Sequence, residues 1–271
     1  MFFAAFGQDN GTSKTDYRKG QFYFYWGYNR SYFSKTNLHF TSATYDFTVY
    51  NIEASDRPSK FGVTYFNPAE FSIPQYNYRL GYCIDNHWSV SGGMDHMKYV
   101  VEPHQQVKIS GVISPEASEK YAGAYLNQPV ALEPDLLTFE HTNGFNLVSL
   151  DAEYLFHVMT LSNIFSLEWN SGIGGVWVVT KTDVRVMGDG LDNDFHVAGY
   201  TLTGKMGPRL QYKNKFFFLI ETKGGYASLP SVLIKNSEPK IGDHTLSFIE
   251  YYFAAGINFR LKGKSIPAQK I

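Results

Sequence analysis

A period of two runs through almost the whole chain, and it is the feature that most narrows what the chain can fold into. In LSFIEYYFAAGINFRLK, residues 246–262, one row holds Ile249, Tyr251, Phe253, Ala255, Ile257, Phe259 and Leu261. The other holds Glu250, Tyr252, Ala254, Gly256, Asn258 and Arg260. Comparable alternation occupies residues 20–33, 76–85, 87–101, 144–158, 163–182, 197–212 and 215–229. Alternation at this period specifies strands, not helices. The second row is unusual for a solvated face, because small residues and aromatics interrupt it and its charges are of both signs.

The connections give the second constraint. Asp85-Asn86-His87, Thr160-Leu161-Ser162-Asn163 and Lys213-Asn214-Lys215 are tight, whereas residues 34–75, 102–143, 183–196 and 230–245 form longer links. Short and long connections alternate, the pattern of an up-and-down barrel with short periplasmic turns and long extracellular loops. The expectation is an all-β fold, a closed antiparallel transmembrane β-barrel of eight strands over residues 20–262. The strand-like stretches YDFTVYNIEA (45–54) and QVKISGVI (106–113) either extend the wall outward or raise the count to ten. A soluble β-sandwich or a lipocalin-type cup would instead bury the apolar rows and wet the polar ones.

Composition supports the membrane reading. Of 271 residues only 18% are charged while 17% are aromatic, with 20 Tyr and 22 Phe, and a soluble surface normally carries more charge. The net charge of -1 argues against a nucleic-acid binder, which should show a basic patch or stripe. The single cysteine, Cys83, rules out an internal disulfide. No apolar run reaches the length of a transmembrane helix. MFFAAFGQDN at the start reads as the remnant of a signal peptide over residues 1–8, with cleavage near Gly7-Gln8, and residues 263–271 read as a periplasmic tail.

With the apolar rows facing lipid, parity lists the interior. The inward acids are Asp95, Asp151, Glu153, Glu168, Glu221 and Glu250, and the inward bases are Arg79, Lys205, Arg209, Lys223 and Arg260. A charge in a confined interior is costly unless paired, so near-balance predicts a charge-paired plug, or a gated proton or ion path through the same network. Strand direction pairs Glu168 with Arg209 more closely than with Lys205. An eight-stranded barrel has room for side chains but no open channel.

In strand number and in its ending the chain resembles small outer-membrane β-barrels of the OmpA and PagL size class. Gly256, Phe259 and Leu261 resemble the C-terminal signal read by the barrel assembly machinery, although Ala254 replaces the usual polar residue and KGKSIPAQKI follows. The aromatic strands and FAAFGQ are also similar to exported barrels of Bacteroidota. The resemblance implies the outer membrane of a Gram-negative bacterium, with the assembly machinery and outer-membrane lipids as partners.

Candidate chemistry gathers at the outer rim. His39, His96, His104, His141, His196 and His244 all map to the extracellular half. Asp95, His96, Glu140 and His141 form the strongest catalytic candidate, if the tops of the third and fourth strands bring them together, since His supplies acid–base chemistry near neutral pH. PagL-type deacylases carry a lipid-facing His and Ser two residues apart. His87-Trp88-Ser89 has that spacing at the periplasmic end, and His244…Ser247 has the wrong spacing. The acidic loop DGLDNDF (189–195) lacks a complete calcium-ligand pattern; no metal site and no cofactor is expected. Arg30 and Lys98 face outward near the rim, where they would touch lipid phosphates. Two function classes follow. One is a non-enzymatic surface anchor that binds a partner or joins an envelope complex through loops 34–75 and 102–143. The other is a lipid-modifying enzyme, a deacylase or acyltransferase, at the outer rim.

Overall fold

The structure is a computed structural model that describes residues 18–60, 62–66, 75–192, 194–235 and 240–261. The expected signal-peptide remnant, residues 1–8, and the expected periplasmic tail, residues 263–271, lie outside the described residues. The strands, in chain order, are β1 (Phe22–Phe33), β2 (Thr36–Thr41), β3 (Tyr45–Ile52), β4 (Ala54–Ser55), β5 (Tyr76–Cys83), β6 (Trp88–Val101), β7 (Gln106–Ile113), β8 (Gly123–Ala131), β9 (Leu137–Thr160), β10 (Phe165–Thr180), β11 (Asp183–Val186), β12 (Asp189–Asp192), β13 (His196–Tyr212), β14 (Phe216–Lys235) and β15 (Lys240–Phe259). One 3-10 turn, Val63–Phe66, follows β4.

Eight of these strands, β1, β5, β6, β9, β10, β13, β14 and β15, pair antiparallel in that order and close on themselves through β1 and β15. The closing seam is continuous from Phe22↔Phe259 to Phe33↔Phe248. Closure matters because in hydrocarbon every backbone polar group must find its partner within the sheet. The tight turn between β13 and β14 puts Lys213 (φ 50°) and Asn214 (φ 54°) in the left-handed region, the geometry of a two-residue hairpin matched to strand twist.

The polarity of the ring is inverted. Leu150, Ile173, Leu202, Ile220 and Phe253 are exposed on its outside, while the charged row is buried within. Aromatic side chains border this apolar band: Tyr82, Trp88, Phe165 and Phe216 at the periplasmic end, and Tyr32, Trp177, Tyr200 and Tyr226 at the outer end. From Phe165 to Trp177 the strand runs roughly 40 Å at ~3.3 Å per residue. At a tilt near 45° that is about 28 Å of depth, close to the apolar band of an outer-membrane barrel. The chain is a transmembrane β-barrel of the outer-membrane type.

The inward glycines explain the gaps in the polar row. A methyl at Gly81 would overlap the Tyr23 ring, and one at Gly256 would overlap the Phe217 ring. Those rings lie across the bore near its periplasmic end, where Tyr25, Leu219, Tyr252 and Ala254 pack with them.

The strand-like stretches 45–54 and 106–113 do not enlarge the ring. They become β3 and β7, which with β2 and β8 form a four-strand extension attached to the top of β15 through Gly242↔Phe40 to Thr245↔Asn37. Tyr45, Phe47 and Val49 alternate with Val107, Ile109 and Ile113 on its inner face. β9 begins seven residues before the predicted start, at Leu137, and its outer part pairs with β11. These pieces make an extracellular dome whose core, including Phe40, Phe47, Leu136, Phe139, Phe145 and Phe248, caps the barrel.

Candidate functional site

The bore holds three layers. At the periplasmic end Glu168 is the hub. It faces Arg209 in register, but the Arg209 guanidinium stands 3.9 Å away and donates instead to Asn258 Oδ1 at 2.6 Å. Glu168 is held by Arg18, which reaches up from the segment before β1, and by Gln211 at 3.0 Å. The closest partner is therefore Arg18, not the expected Arg209. Arg18 sits outside any alternating segment, so parity could not reveal it.

The middle layer is built around Arg79, fully buried and paired with Asp151 and, at 3.5 Å, Asp95. Lys205 meets Glu153 at 2.8 Å. Lys223 gives its ammonium to Asp95. Glu221 has no cation but accepts from Asn170 and from the Tyr252 hydroxyl. Glu250, opposite Lys223 in register, completes this layer. Above it the apolar dome core closes the bore. Ten of the eleven parity-assigned interior residues are buried; the exception, Arg260, follows the end of β15 and is exposed.

The catalytic candidates do not assemble. Asp95 pairs with Leu147 in register and Tyr99 with His141, so the two levels are six residues apart on β9, roughly 20 Å at the strand rise. Asp95 points into the bore and is neutralised there by Lys223 and Arg79. His96 faces outward, but it is buried under the Tyr76 ring and its Nδ1 meets Asn146 Oδ1 at 2.7 Å. His141 lies inside the dome, its Nδ1 bonded to the Thr182 hydroxyl at 2.7 Å. Glu140 is half-buried beside β11. The reason is strand length: β6 and β9 run on past the bilayer, which spreads along the strand what a short loop would have gathered. Ser89 of the His87-Trp88-Ser89 spacing points inward to Tyr23, and His87 belongs to the periplasmic turn. Among the described residues, no group of three or more His, Cys, Asp or Glu side chains is placed to hold a metal ion. Residues 189–192 of the acidic loop are strand β12.

The rim next to β1 is built differently from the rest of the wall. β5 begins at Tyr76, opposite Tyr28, so among the described residues the outer end of β1 has no β5 ladder. Side chains substitute for it. Asp56 accepts the Ser31 amide at 3.0 Å and the Gln75 side chain at 2.6 Å, and Asn29 donates to the His96 carbonyl at 3.1 Å. Burial pushes the Asp56 carboxyl above the usual carboxylate range, against the pull of these hydrogen bonds. Arg30 is exposed just outside this seam, and half-buried Lys98 donates to Ser59 at 3.3 Å.

Two features of the dome were not legible as sites. His141 and His244 stack 6.1 Å apart in its core, between Tyr99 and Phe139. Both lie beyond the apolar band, which ends at Val148 on β9 and at Ile249 on β15. Burial lowers both imidazoles, His141 well below its usual value and His244 to about 3. The second feature is β8, the last strand of the sheet path, paired only with β7 among the described residues. Its sequence GAYLNQPVA carries no charge, and Leu126 is 86% exposed.

No family model matches this sequence, and no curated protein matches it. Among solved structures the chain is similar to the outer membrane protein OprG from Pseudomonas aeruginosa, at 12% identity over 90% of this chain and 98% of that one, with a TM-score of 0.35. It is similar to Ail, the attachment invasion locus protein of Yersinia pestis, at 12% identity over 89% and 99%, with a TM-score of 0.31. It is also similar to the outer membrane protein AlkL, at 10% identity over 96% and 99%, with a TM-score of 0.40. The inverted polarity of the closed ring is what assigns this chain to the outer-membrane barrels.

Proposed function

We propose that the protein is a non-conducting, non-enzymatic anchor in the outer membrane of a Gram-negative bacterium, which displays its dome as a binding surface for another polypeptide of the envelope or the cell surface. The observation that carries this reading is the contrast between a bore filled from end to end and an outer strand, β8, with an uncharged free edge. Natural sheet edges are guarded by charge, proline, bulges or cover; on β8 the guards are Pro129 and the bulge opposite Ile109–Gly111, which leave the stretch from Gly123 to Leu126 open. An open edge takes an added strand through main-chain hydrogen bonds. The binding surface narrows the expected loop regions 34–75 and 102–143 to the dome strands they contain. Arg30 and Lys98 would contact phosphates of outer-leaflet lipids, and the last barrel strand, with Gly256, Phe259 and Leu261, would be read by the assembly machinery. The lipid-modifying alternative loses support because its four candidate groups are separated and covered.

The test has two arms. In planar bilayers the purified barrel gives no stable large-conductance steps; such steps would contradict the sealed bore. In cells, a photo-crosslinker at Leu126 yields a discrete protein adduct that Ala124→Pro abolishes, whereas one at Ile173 in the lipid band does not. Equal labelling at the two positions would overturn the binding role of β8.

A further inference from the structure

The buried charges of the barrel do not balance. Once Arg18 is included, five cations face six acids inside the bore among the described residues. Asp95, Asp151, Glu153 and Glu168 each have a cation partner. Glu221 has two donors instead. Glu250 has no cation within ion-pair distance: it is fully buried, neither carboxylate oxygen has a partner at full hydrogen-bond geometry, and the Asn29 side chain is the one donor that approaches it. An ionised carboxylate left so in a low-dielectric interior is too costly to persist uncompensated.

Oxygen atoms cluster around it, with the Lys223 ammonium and the Arg79 guanidinium also within electrostatic reach. Ser31 faces it in register across the β1–β15 seam, and Asn29 lies beside it. Asp95 is within electrostatic reach. Ser31 Oγ, Asn29 Oδ1 and Asp95 Oδ1 are each buried with no hydrogen-bond partner in the protein. Asn77, opposite Asp95 in register, has both amide atoms in the same condition. The nearby Lys223 ammonium is committed to Asp95.

We propose that Glu250, with the oxygens of Ser31, Asn29 and Asp95, holds one monovalent cation inside the barrel. One positive charge restores neutrality to the bore, whereas a divalent ion would leave an excess of the opposite sign. A proton on Glu250 would also restore neutrality, but it can satisfy only one of the neighbouring acceptors; an alkali cation satisfies them together, as hard oxygen ligands do for hard cations. The apolar layer that begins at Phe248, two residues above Glu250, closes the site from the extracellular side. The proposal is independent of any role for β8.

The experiment uses the full chain, refolded in detergent, and follows loss of the compact gel band on heating. Sodium chloride, potassium chloride and N-methyl-D-glucamine chloride are compared at equal ionic strength, so that general screening is held constant. Sodium or potassium raises the midpoint by several degrees, in a saturable way, because an ion that binds only the folded state stabilises it by mass action. Glu250→Gln, neutral and of the same shape, abolishes the difference between salts, and Ser31→Ala reduces the apparent cation affinity at least threefold. In crystals soaked with thallous ion, an anomalous peak lies beside the Glu250 carboxylate. Equal midpoints in the three salts, a salt effect that survives Glu250→Gln, or a midpoint that follows pH and not the cation would each overturn the proposal. Should Glu250→Gln not fold, the Ser31→Ala response and the thallium peak decide it.

Discussion

Glu168 shows what parity can and cannot read at the scale of single residues. Alternation put it on the inward row, and it is buried there. The register opposite Arg209 also follows from the strand directions. What alternation cannot contain is the reach of a side chain from outside the pattern, and Arg18 enters from the segment before β1 to take the ion pair. Arg260 is the reverse case: it keeps the inward parity of β15 but falls past the last paired residue, where the wall has ended. Removing one member of a buried pair strands the other, at about 3–5 kcal/mol. Glu168→Ala therefore lowers stability by about that much, whereas Glu133→Ala, which breaks only an exposed contact with His104, stays within about 1 kcal/mol. The Glu168→Gln and Arg18→Gln changes together cost less than the sum of the two singles. Arg209→Gln costs less than Arg18→Gln. Heat-modified gel mobility of each variant measures all four, and a Glu168→Ala protein as stable as Glu133→Ala would contradict the inward row.

At the scale of elements, the barrel strands were legible and the dome only partly so. β3 and β7 have one buried face, so their alternation survived in the sequence. β8 packs Tyr125 and Val130 only partly against the dome core, and a register break opposite Ile109–Gly111 lies between them, which erases the signal. β11 and β12 are four residues each, too short for a periodic pattern to stand out. The candidate cluster failed because an alternating segment does not reveal how far a strand continues beyond the bilayer. The dome core carries a consequence for pH. His141 and His244 are buried neutral, and their folded pKa values lie below the roughly 6.5 of an unfolded histidine. The unfolded dome thus binds more protons, and the stability these rings supply is present above pH ~6.5 and lost as pH falls toward the folded values. From pH 7 to 5 the loss through His244 is about 2 kcal/mol, and His141 adds to it in the same direction. The groups around them are Tyr99, Phe139, Phe145 and Thr182, with His196 as the further titratable neighbour acting on His141. Hydrogen exchange of β3 and β7 amides, corrected for intrinsic rate, becomes faster over this range, and His141→Leu with His244→Phe flattens the dependence. An unchanged slope in the double variant would contradict the assignment.

The whole molecule is a closed ring in which the usual relation of core and surface is reversed. That reversal answers why the second row is broken by glycine and carries both charges: it lines a bore just wide enough for Tyr23, Phe217 and paired side chains. The most direct measurement places a spin label at Leu150, Ile173, Ile220 and Phe253, one at a time, and at Val112 on the dome, with the protein in lipid bilayers. Cys83 is buried, so background labelling is low. All four barrel positions should collide with oxygen dissolved in the lipid and be shielded from a water-soluble nickel complex, while Val112, 55% exposed on the dome, should show the opposite. Nickel access at the four barrel positions equal to that at Val112 would contradict the transmembrane barrel.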